Sequence, residues 1–392
     1  MRYASEGVFI AETQRKVPWY RPVERDADAQ RWRATAHPLV EGNNCHVGPM
    51  IHFRWDLDKT YIHTDFDSLR DLVRTFRQPP EDKRSIAGAP TLLRTLLNPP
   101  DGDGERRVTF ISGSPRQMRK VLTEKLRLDG IEPDAFVLKP NLSNLLKLRF
   151  RALNEQLGYK LKALLSSRFG GAEVREVLFG DDSEADALIY ALYADVIAGA
   201  VSPDLLEDAL SHSKLYRSDV DEILALVRDL PENRPKVARI FIHLDRRSPT
   251  ARFDVFGARV VPIYNYFQAA LVLFDMELLS AQSLLPIVDA MEAAGYSPMR
   301  LTNSAQDIVR RGYVHPKTLI RAREAALKSE EIMARSASLF VAEFADALAG
   351  VEPVSHRRKW TEEIDYVELC AETDRYRRRR GVFRGAGLLR DE

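Results

Sequence analysis

The stretch Met50-Ile51-His52-Phe53-Arg54-Trp55-Asp56-Leu57-Asp58-Lys59-Thr60 decides the reading of this chain. A short, largely apolar strand candidate over Met50–Trp55 runs straight into two carboxylates spaced two positions apart. In a parallel α/β sheet, the loops at the carboxyl ends of strands form the ligand crevice. Residues i and i+2 of an extended segment point the same way, so Asp56 and Asp58 can share that crevice. Two such carboxylates can divide labour as nucleophile and proton donor when their environments separate their pKa values. An aspartate at a strand end also serves as a plain turn residue, and this segment alone leaves both readings open.

Working outward, further apolar runs read as strands at Val108–Ile111, Val137–Leu138, Glu176–Phe179, Ala238–Leu244 and from Val260. Helices are expected over Leu69–Phe76, Ala89–Leu97, Gln117–Leu126, residues 143–168 and Ser183–Ile197. Strands alternating with helices predict a doubly wound parallel α/β sheet with helices on both faces. The expected organisation is an N-terminal arm over 1–45 and an α/β domain over 46–280 with a helical insertion at 202–231. A helical C-terminal extension over 281–350 and a charged, loosely docked tail over 351–392 follow. The intervals Thr60 to Val108 and Ser112 to Lys160 are too short for a large cap with its own sheet.

Composition narrows the classes. The 392 residues are 45% apolar and 29% charged, an ordinary globular balance. Lys plus Arg number 58 against 57 Asp plus Glu, a formal net charge of +1. A dedicated nucleic-acid binder has a strong basic excess, so nucleic acid is not an expected partner. Two cysteines, Cys45 and Cys370, make no disulfide framework. With no apolar leader run at the start of the sequence, a cytoplasmic location is the expectation.

Three more segments carry chemistry. Ser112 sits where the second strand meets a helix, a place that favours anions. Ser114 and Pro115 suit the cap and first position of that helix. The third main strand ends in Gly180-Asp181-Asp182-Ser183-Glu184-Ala185-Asp186, an oxygen-rich cluster of the kind hard divalent cations require. Asp182 or Ser183 could equally cap the next helix. Lys160 and Lys162 lie on the helix before that strand, where a cation could neutralise carboxylate and phosphate charge. Asp101-Gly102-Asp103-Gly104-Glu105 lacks the remaining ligands of a calcium loop, and Cys45-His46 has no metal-site spacing. His63 reads as structural, and the arginine run Arg377–Arg380 is offset by nearby acids.

The ordered set strand-DxDxT, strand-Ser, helix-Lys, strand-GDxxxxD resembles the haloacid dehalogenase (HAD) superfamily of phosphotransferases. Within it, Ser112-Gly113-Ser114-Pro115, the segment Gly180–Tyr190 and Ala238–His243 resemble the catalytic domain of the actin-patch-associated phosphatidate phosphatases. Lys59 and His243 depart from that pattern, where the family has Asp and Arg. The resemblance implies a Mg²⁺-dependent phosphohydrolase of phosphate monoesters. Asp56 would be the nucleophile that forms an aspartyl-phosphate, and Asp58 the general acid and base. Asp56, Asp58 (through its carbonyl), Asp181 and Asp186 would hold the metal. Ser112, Lys160 and Thr60 would bind phosphate or brace its loop, with Lys162 as the alternative to Lys160. The implied partner is a phosphorylated lipid or small molecule, the lipid version with peripheral membrane contact. The competing readings are a phosphatase for soluble metabolites or nucleic-acid ends, and a catalytically silent binding scaffold on the same fold.

Overall fold

The computed structural model describes residues 50–64, 79–99, 104–139, 153–169, 174–183, 185–231, 235–328 and 363–372. All belong to the unit Val47–Glu392. The expected arm over 1–45, the helix at Leu69–Phe76 and the arginine run lie outside the described residues, as do 329–350 of the helical extension.

Six strands form one sheet: β1 (Ile51–Asp56), β2 (Arg106–Pro115), β3 (Ala135–Lys139), β4 (Arg175–Asp181), β5 (Lys236–His243) and β6 (Val260–Ile263). Their order is β3-β2-β1-β4-β5-β6, and every pairing is parallel. Among the described residues no strand lies outside this sheet. The order reverses between β1 and β4, which creates the topological switch point where ligands bind in open α/β sheets. β1 ends at Asp56 and β4 at Asp181, so the two central strands each deliver a carboxylate to that crevice.

One face of the sheet carries a single aromatic rung. Phe136, Phe110, Trp55, Phe179 and Phe241 are successive partners across five strands. Trp55 stacks on Phe179 at 4.0 Å and Phe179 on Phe241 at 4.9 Å between ring centroids. This face is covered by α1 (Ala89–Leu97) and α2 (Arg119–Leu128). The opposite face is covered by α3 (Leu153–Ser166), α4 (Asp186–Ala198), α5 (Pro203–His212) and α6 (Arg217–Arg228). The first face is completed by α7 (Tyr266–Asp275), α8 (Ala281–Ala293), α9 (Pro298–Arg310) and α10 (Pro316–Lys328). Buried residues of α8 to α10 thus join the core of the sheet itself. The architecture is the expected doubly wound one, with helices on both faces.

Two helix starts differ from expectation. β2 continues through Pro115, and a short 3₁₀ turn, Arg116–Met118, precedes α2, so Ser114 caps nothing. Its hydroxyl is drawn instead to Asp58. α4 begins at Asp186 with Ala185 at the cap position, so neither Asp182 nor Ser183 caps it. Asp182 accepts the backbone N–H groups of Arg246 and Ser248 and ties down the loop after β5. The tail is not uniformly loose either. In residues 363–372, Tyr366 and Cys370 are buried, and the Tyr366 hydroxyl donates to Asp195 on α4 at 2.5 Å.

β1 is less apolar than its sequence reading. Its alternation sends Phe53 and Trp55 to the aromatic face, and His52, Arg54 and Asp56 to the face of α3 and α4. All six residues are buried. Arg54 donates to Glu176 on β4 at 3.1 Å, to the Tyr193 hydroxyl at 2.9 Å and to the Leu164 carbonyl of α3 at 2.9 Å. His52 lies 3.3 Å from Glu176 and 2.8 Å from the Thr109 hydroxyl. Burial pushes the Glu176 carboxyl up, and Arg54 and His52 outweigh it, leaving it below its ordinary range. Burial also holds the His52 imidazole below its ordinary 6.5, although the Glu176 hydrogen bond opposes this.

Removing one partner of such a buried pair leaves an uncompensated charge. Arg54→Met is expected to lower the unfolding free energy by about 3–5 kcal/mol in urea titration. A second expectation concerns acid. Below pH 6.5 an unfolded His52 gains a proton that the folded one does not, so stability present at neutral pH is lost as pH falls. His52→Gln should flatten the decline of unfolding free energy between about pH 7 and 5 by up to about 1.4 kcal/mol per pH unit.

Candidate active site

Asp56 ends β1 with its side chain on the α3 face. Lys160 reaches it from the middle of α3, with Nζ 2.9 Å from Asp56 Oδ1 and 2.5 Å from Asp186 Oδ1. Lys160 is 1% exposed, so this ammonium is held by carboxylates and not by water. Lys162 points elsewhere and pairs with Asp219 and Glu222 at 2.8 Å each, on α6. The geometry therefore brings Lys160 into the cluster and leaves Lys162 out. Residues two apart on a helix do not share a face.

Asp186 opens α4 and folds back over the end of β4. Its Oδ2 accepts the Asp181 backbone N–H at 3.2 Å. This close approach needs Gly180. A Cβ there would meet Asp186 Oδ2 at 2.4 Å and its Cβ at 2.7 Å. Asp181 Oδ1 accepts the Ser183 N–H at 2.5 Å. One carboxylate oxygen from each of Asp56, Asp181 and Asp186 lies within 4.8 Å of the others, and all three residues are buried. Three anionic oxygens from three elements are the donor type that hard cations such as Mg²⁺ take. Lys160 balances part of their charge. The residues fit a divalent metal by donor chemistry.

Asp58 is held apart from that cluster. Its Oδ2 accepts the Ser112 hydroxyl at 2.9 Å and the Ser114 hydroxyl at 3.1 Å. Ser112 Oγ in turn accepts the Ser114 N–H at 2.9 Å. The Ser112 carbonyl accepts the Tyr159 hydroxyl from α3 at 2.8 Å, one residue before Lys160. Thr60, fully buried, donates to Asp56 Oδ2 at 3.2 Å. Asp56 and Asp58 thus sit in different settings, one beside an ammonium and a carboxylate cluster, the other under two hydroxyls.

The loop that follows them is pinned from outside the motif. Lys59 has φ +62°, a left-handed conformation in which Asn and Asp are enriched and lysine is uncommon. His243, at the end of β5, meets the Lys59 carbonyl with Nδ1 at 3.1 Å. Tyr266, from α7, donates its hydroxyl to the Thr60 carbonyl. The His243 ring stacks on Tyr266 at 5.6 Å, and burial holds its imidazole below the ordinary range. His63 is exposed. Sequence reasoning missed Tyr266 and Lys83. Lys83 is buried next to the 3₁₀ turn Pro80–Asp82. Burial lowers its amine below the usual lysine range, and the Asp58 charge opposes that. No motif marks either residue, because each reaches the site only through the pairing of distant segments.

Gly180→Ala is expected to drive Asp186 off β4. It should lower the unfolding free energy by about 1–3 kcal/mol, the usual cost of overpacking. Calorimetric titration of the variant with Mg²⁺ should also show weakened binding relative to the unsubstituted protein.

Comparison with known families places this site in context. Residues 55–203 match the family model described as phosphatidate phosphatase APP1, catalytic domain. The match covers less than half of the chain and contains Asp56, Asp58, Thr60, Ser112, Lys160, Asp181 and Asp186. Searches of curated proteins and of solved structures found no significant match. The chain is thus similar, over the strands and helices that build the crevice, to the catalytic domain of a phosphatidate phosphatase.

Proposed function

We propose that this protein is a phosphohydrolase of the haloacid dehalogenase type that cleaves phosphate monoesters with Mg²⁺, on a phosphatidate-like or related substrate. The observation that supports it most is the meeting of Asp56, Lys160, Asp186 and Asp181 at the switch point of the sheet. The match to a phosphatidate phosphatase catalytic domain over 55–203 supports the same reading.

In this reading an Asp56 oxygen attacks phosphorus. The new O–P bond forms as the ester P–O bond breaks, and the leaving alkoxide takes its proton from Asp58. Water then attacks the aspartyl-phosphate and gives its proton to Asp58. The acyl-phosphate O–P bond breaks and inorganic phosphate departs. Splitting one displacement into two steps is what a carboxylate nucleophile offers. Asp58 can serve as acid and then base because its hydroxyl partners allow either protonation state. Lys160 and Ser112 would stabilise the charge of the transferring phosphoryl oxygens. Thr60 would hold Asp56 in its attacking rotamer. Asp56, Asp181, Asp186 and the Asp58 carbonyl would hold Mg²⁺, which supplies charge neutralisation for the phosphoryl group.

No helix among the described residues is long and apolar enough to cross a membrane. A lipid substrate would therefore be met by these residues at a bilayer surface or as a dispersed molecule.

The test is phosphate release with Mg²⁺ and with EDTA. Substrates are a chromogenic monoester, phosphatidate in mixed micelles and terminally phosphorylated oligonucleotides. Asp56→Asn should lose roughly a thousandfold or more of the turnover while still unfolding in one cooperative transition. Release that persists in EDTA, or in Asp56→Asn, would overturn the mechanism. The best substrate of the panel decides between lipid and soluble phosphate esters.

A further inference from the structure

A cavity of about 490 Å³ opens beside Asp181 and Asp182, walled in part by Leu188, Phe253, Phe256, Leu369 and Glu372. None of Asp56, Asp58, Ser112 or Lys160 lines it. Two side chains that do reach the nucleophile's loop are His243, at the end of β5, and Tyr266, at the start of α7. Both are buried, and both lie outside the stretch that matches the phosphatase family. The Tyr266 ring stacks on Trp55 at 5.5 Å and on His243 at 5.6 Å between centroids. Its helix start is fixed as well. Asn265 caps α7 by accepting the Gln268 N–H, and it donates to the Ser304 hydroxyl of α9 at 2.8 Å. Gln268 donates to the Ser304 carbonyl at 2.9 Å. Burial raises the Tyr266 phenol well above its ordinary range, with the Asp181 and Asp56 charges adding to this, so it stays a donor.

What these two side chains hold is the turn at Lys59, whose φ is +62°. A peptide unit is planar and trans, so each carbonyl points opposite to the N–H of the next residue. The Thr60–Tyr61 unit is gripped at both ends. Tyr266 donates to the Thr60 carbonyl, and the Tyr61 N–H donates to the Leu57 carbonyl at 2.9 Å. One unit earlier, the Lys59 carbonyl accepts His243 Nδ1 at 3.1 Å, so that nitrogen carries the proton. The Lys59 N–H donates to the Ile62 carbonyl at 2.8 Å, which turns the Asp58 carbonyl to the opposite side. A lysine that relaxed from the left-handed region to an ordinary one would rotate the peptide units on both of its sides. One of those units contains the Asp58 carbonyl. The other contains the carbonyl that His243 holds.

We propose that Tyr266 and His243 are positioning residues for phosphoryl transfer, which hold the Lys59 turn so that the Asp58 carbonyl keeps its metal-binding orientation and Thr60 stays on Asp56. The proposal rests on the phosphohydrolase reading above and deepens it, because it makes the reacting loop depend on β5 and α7. Neither residue touches the reacting atoms; both act through the Lys59 and Thr60 carbonyls. The Thr60 hydroxyl donates to Asp56 Oδ2 at 3.2 Å, so the hold on the Thr60 backbone extends to the nucleophile. Partners that orient the ligands of a metal typically change its affinity or the activity by roughly 10–100-fold when lost.

Tyr266→Phe tests this, since it removes the hydroxyl and keeps the stacked ring. Calorimetric titration of the full chain with Mg²⁺ should show binding roughly tenfold or more weaker than in the unsubstituted protein. With the chromogenic ester at saturating Mg²⁺, kcat should fall by roughly tenfold or more while KM stays within about twofold. A structural role alone would lower the melting temperature and leave Mg²⁺ affinity and kcat unchanged, and that result overturns the proposal. A second variant reads the turn. Asparagine takes the left-handed region more readily than lysine, so Lys59→Asn added to Tyr266→Phe should regain Mg²⁺ affinity. No regain overturns the role assigned to the turn. Hydrogen exchange reads the hold on the loop without metal or substrate. The Lys59, Tyr61 and Ile62 amides should exchange faster in Tyr266→Phe while the amides of β4 keep their rates. Equal exchange of the loop in the two proteins overturns the proposal. Faster loop exchange in the variant, with neither Mg²⁺ binding nor phosphate release by the unsubstituted protein, retains the hold on the loop and overturns the hydrolase reading.

Discussion

An ammonium buried between two carboxylates is the constraint around which this molecule is arranged. Lys160 Nζ touches Asp56 and Asp186, and water has almost no access to any of the three. Such a group is costly to bury unless its partners are placed to satisfy it. The contact joins the C-terminal end of β1, the middle of α3 and the first turn of α4. A shift of any one of these elements by a single residue would strand a charge. The sheet order and the glycine at 180 are both conditions for this meeting.

The helix that carries the lysine has its own restraint. Arg54 lies two residues before Asp56 on the same face of β1 and holds the Leu164 carbonyl, one turn beyond Lys160. Strand and helix therefore run antiparallel, with two polar contacts spaced alike along both. Arg54 cannot keep its bond to Leu164 if α3 slides, and Lys160 cannot reach Asp56 if it does. The network of His52, Arg54, Glu176 and Tyr193 thus acts as a ruler for the crevice as well as part of the core. The aromatic rung on the other face does the corresponding work for β1, β4 and β5, since Trp55, Phe179 and Phe241 fit only in register.

Much of this was legible in the chain. Six apolar runs and the helices between them foretold the doubly wound sheet, because local pattern and tertiary burial agree there. The carboxylates at strand ends followed from position alone. The choice between Lys160 and Lys162 did not, since it depends on which face of α3 meets the sheet. His52 and Arg54 were hidden inside a strand that reads as apolar, because their partner Glu176 is more than a hundred residues away. Ser114 looked like a helix cap until Asp58 was placed beside it. The wall supplied by residues 365–372 lies in a charged stretch whose composition says nothing of Tyr366 and Cys370 as anchors.

The Tyr366–Asp195 bond spans 171 positions of the chain. A ribosome adding about 5–20 residues per second needs roughly 10–30 s to cross that interval. Every carboxylate of the crevice has been synthesised by Asp186, yet the cavity beside it lacks its last wall until Glu372 has been added. During that time α4 has Arg259 to answer Asp195 for only the later part, and its outer apolar surface awaits residues 364–370. The nascent chain therefore contains every residue of the charge cluster before it contains every wall of the pocket.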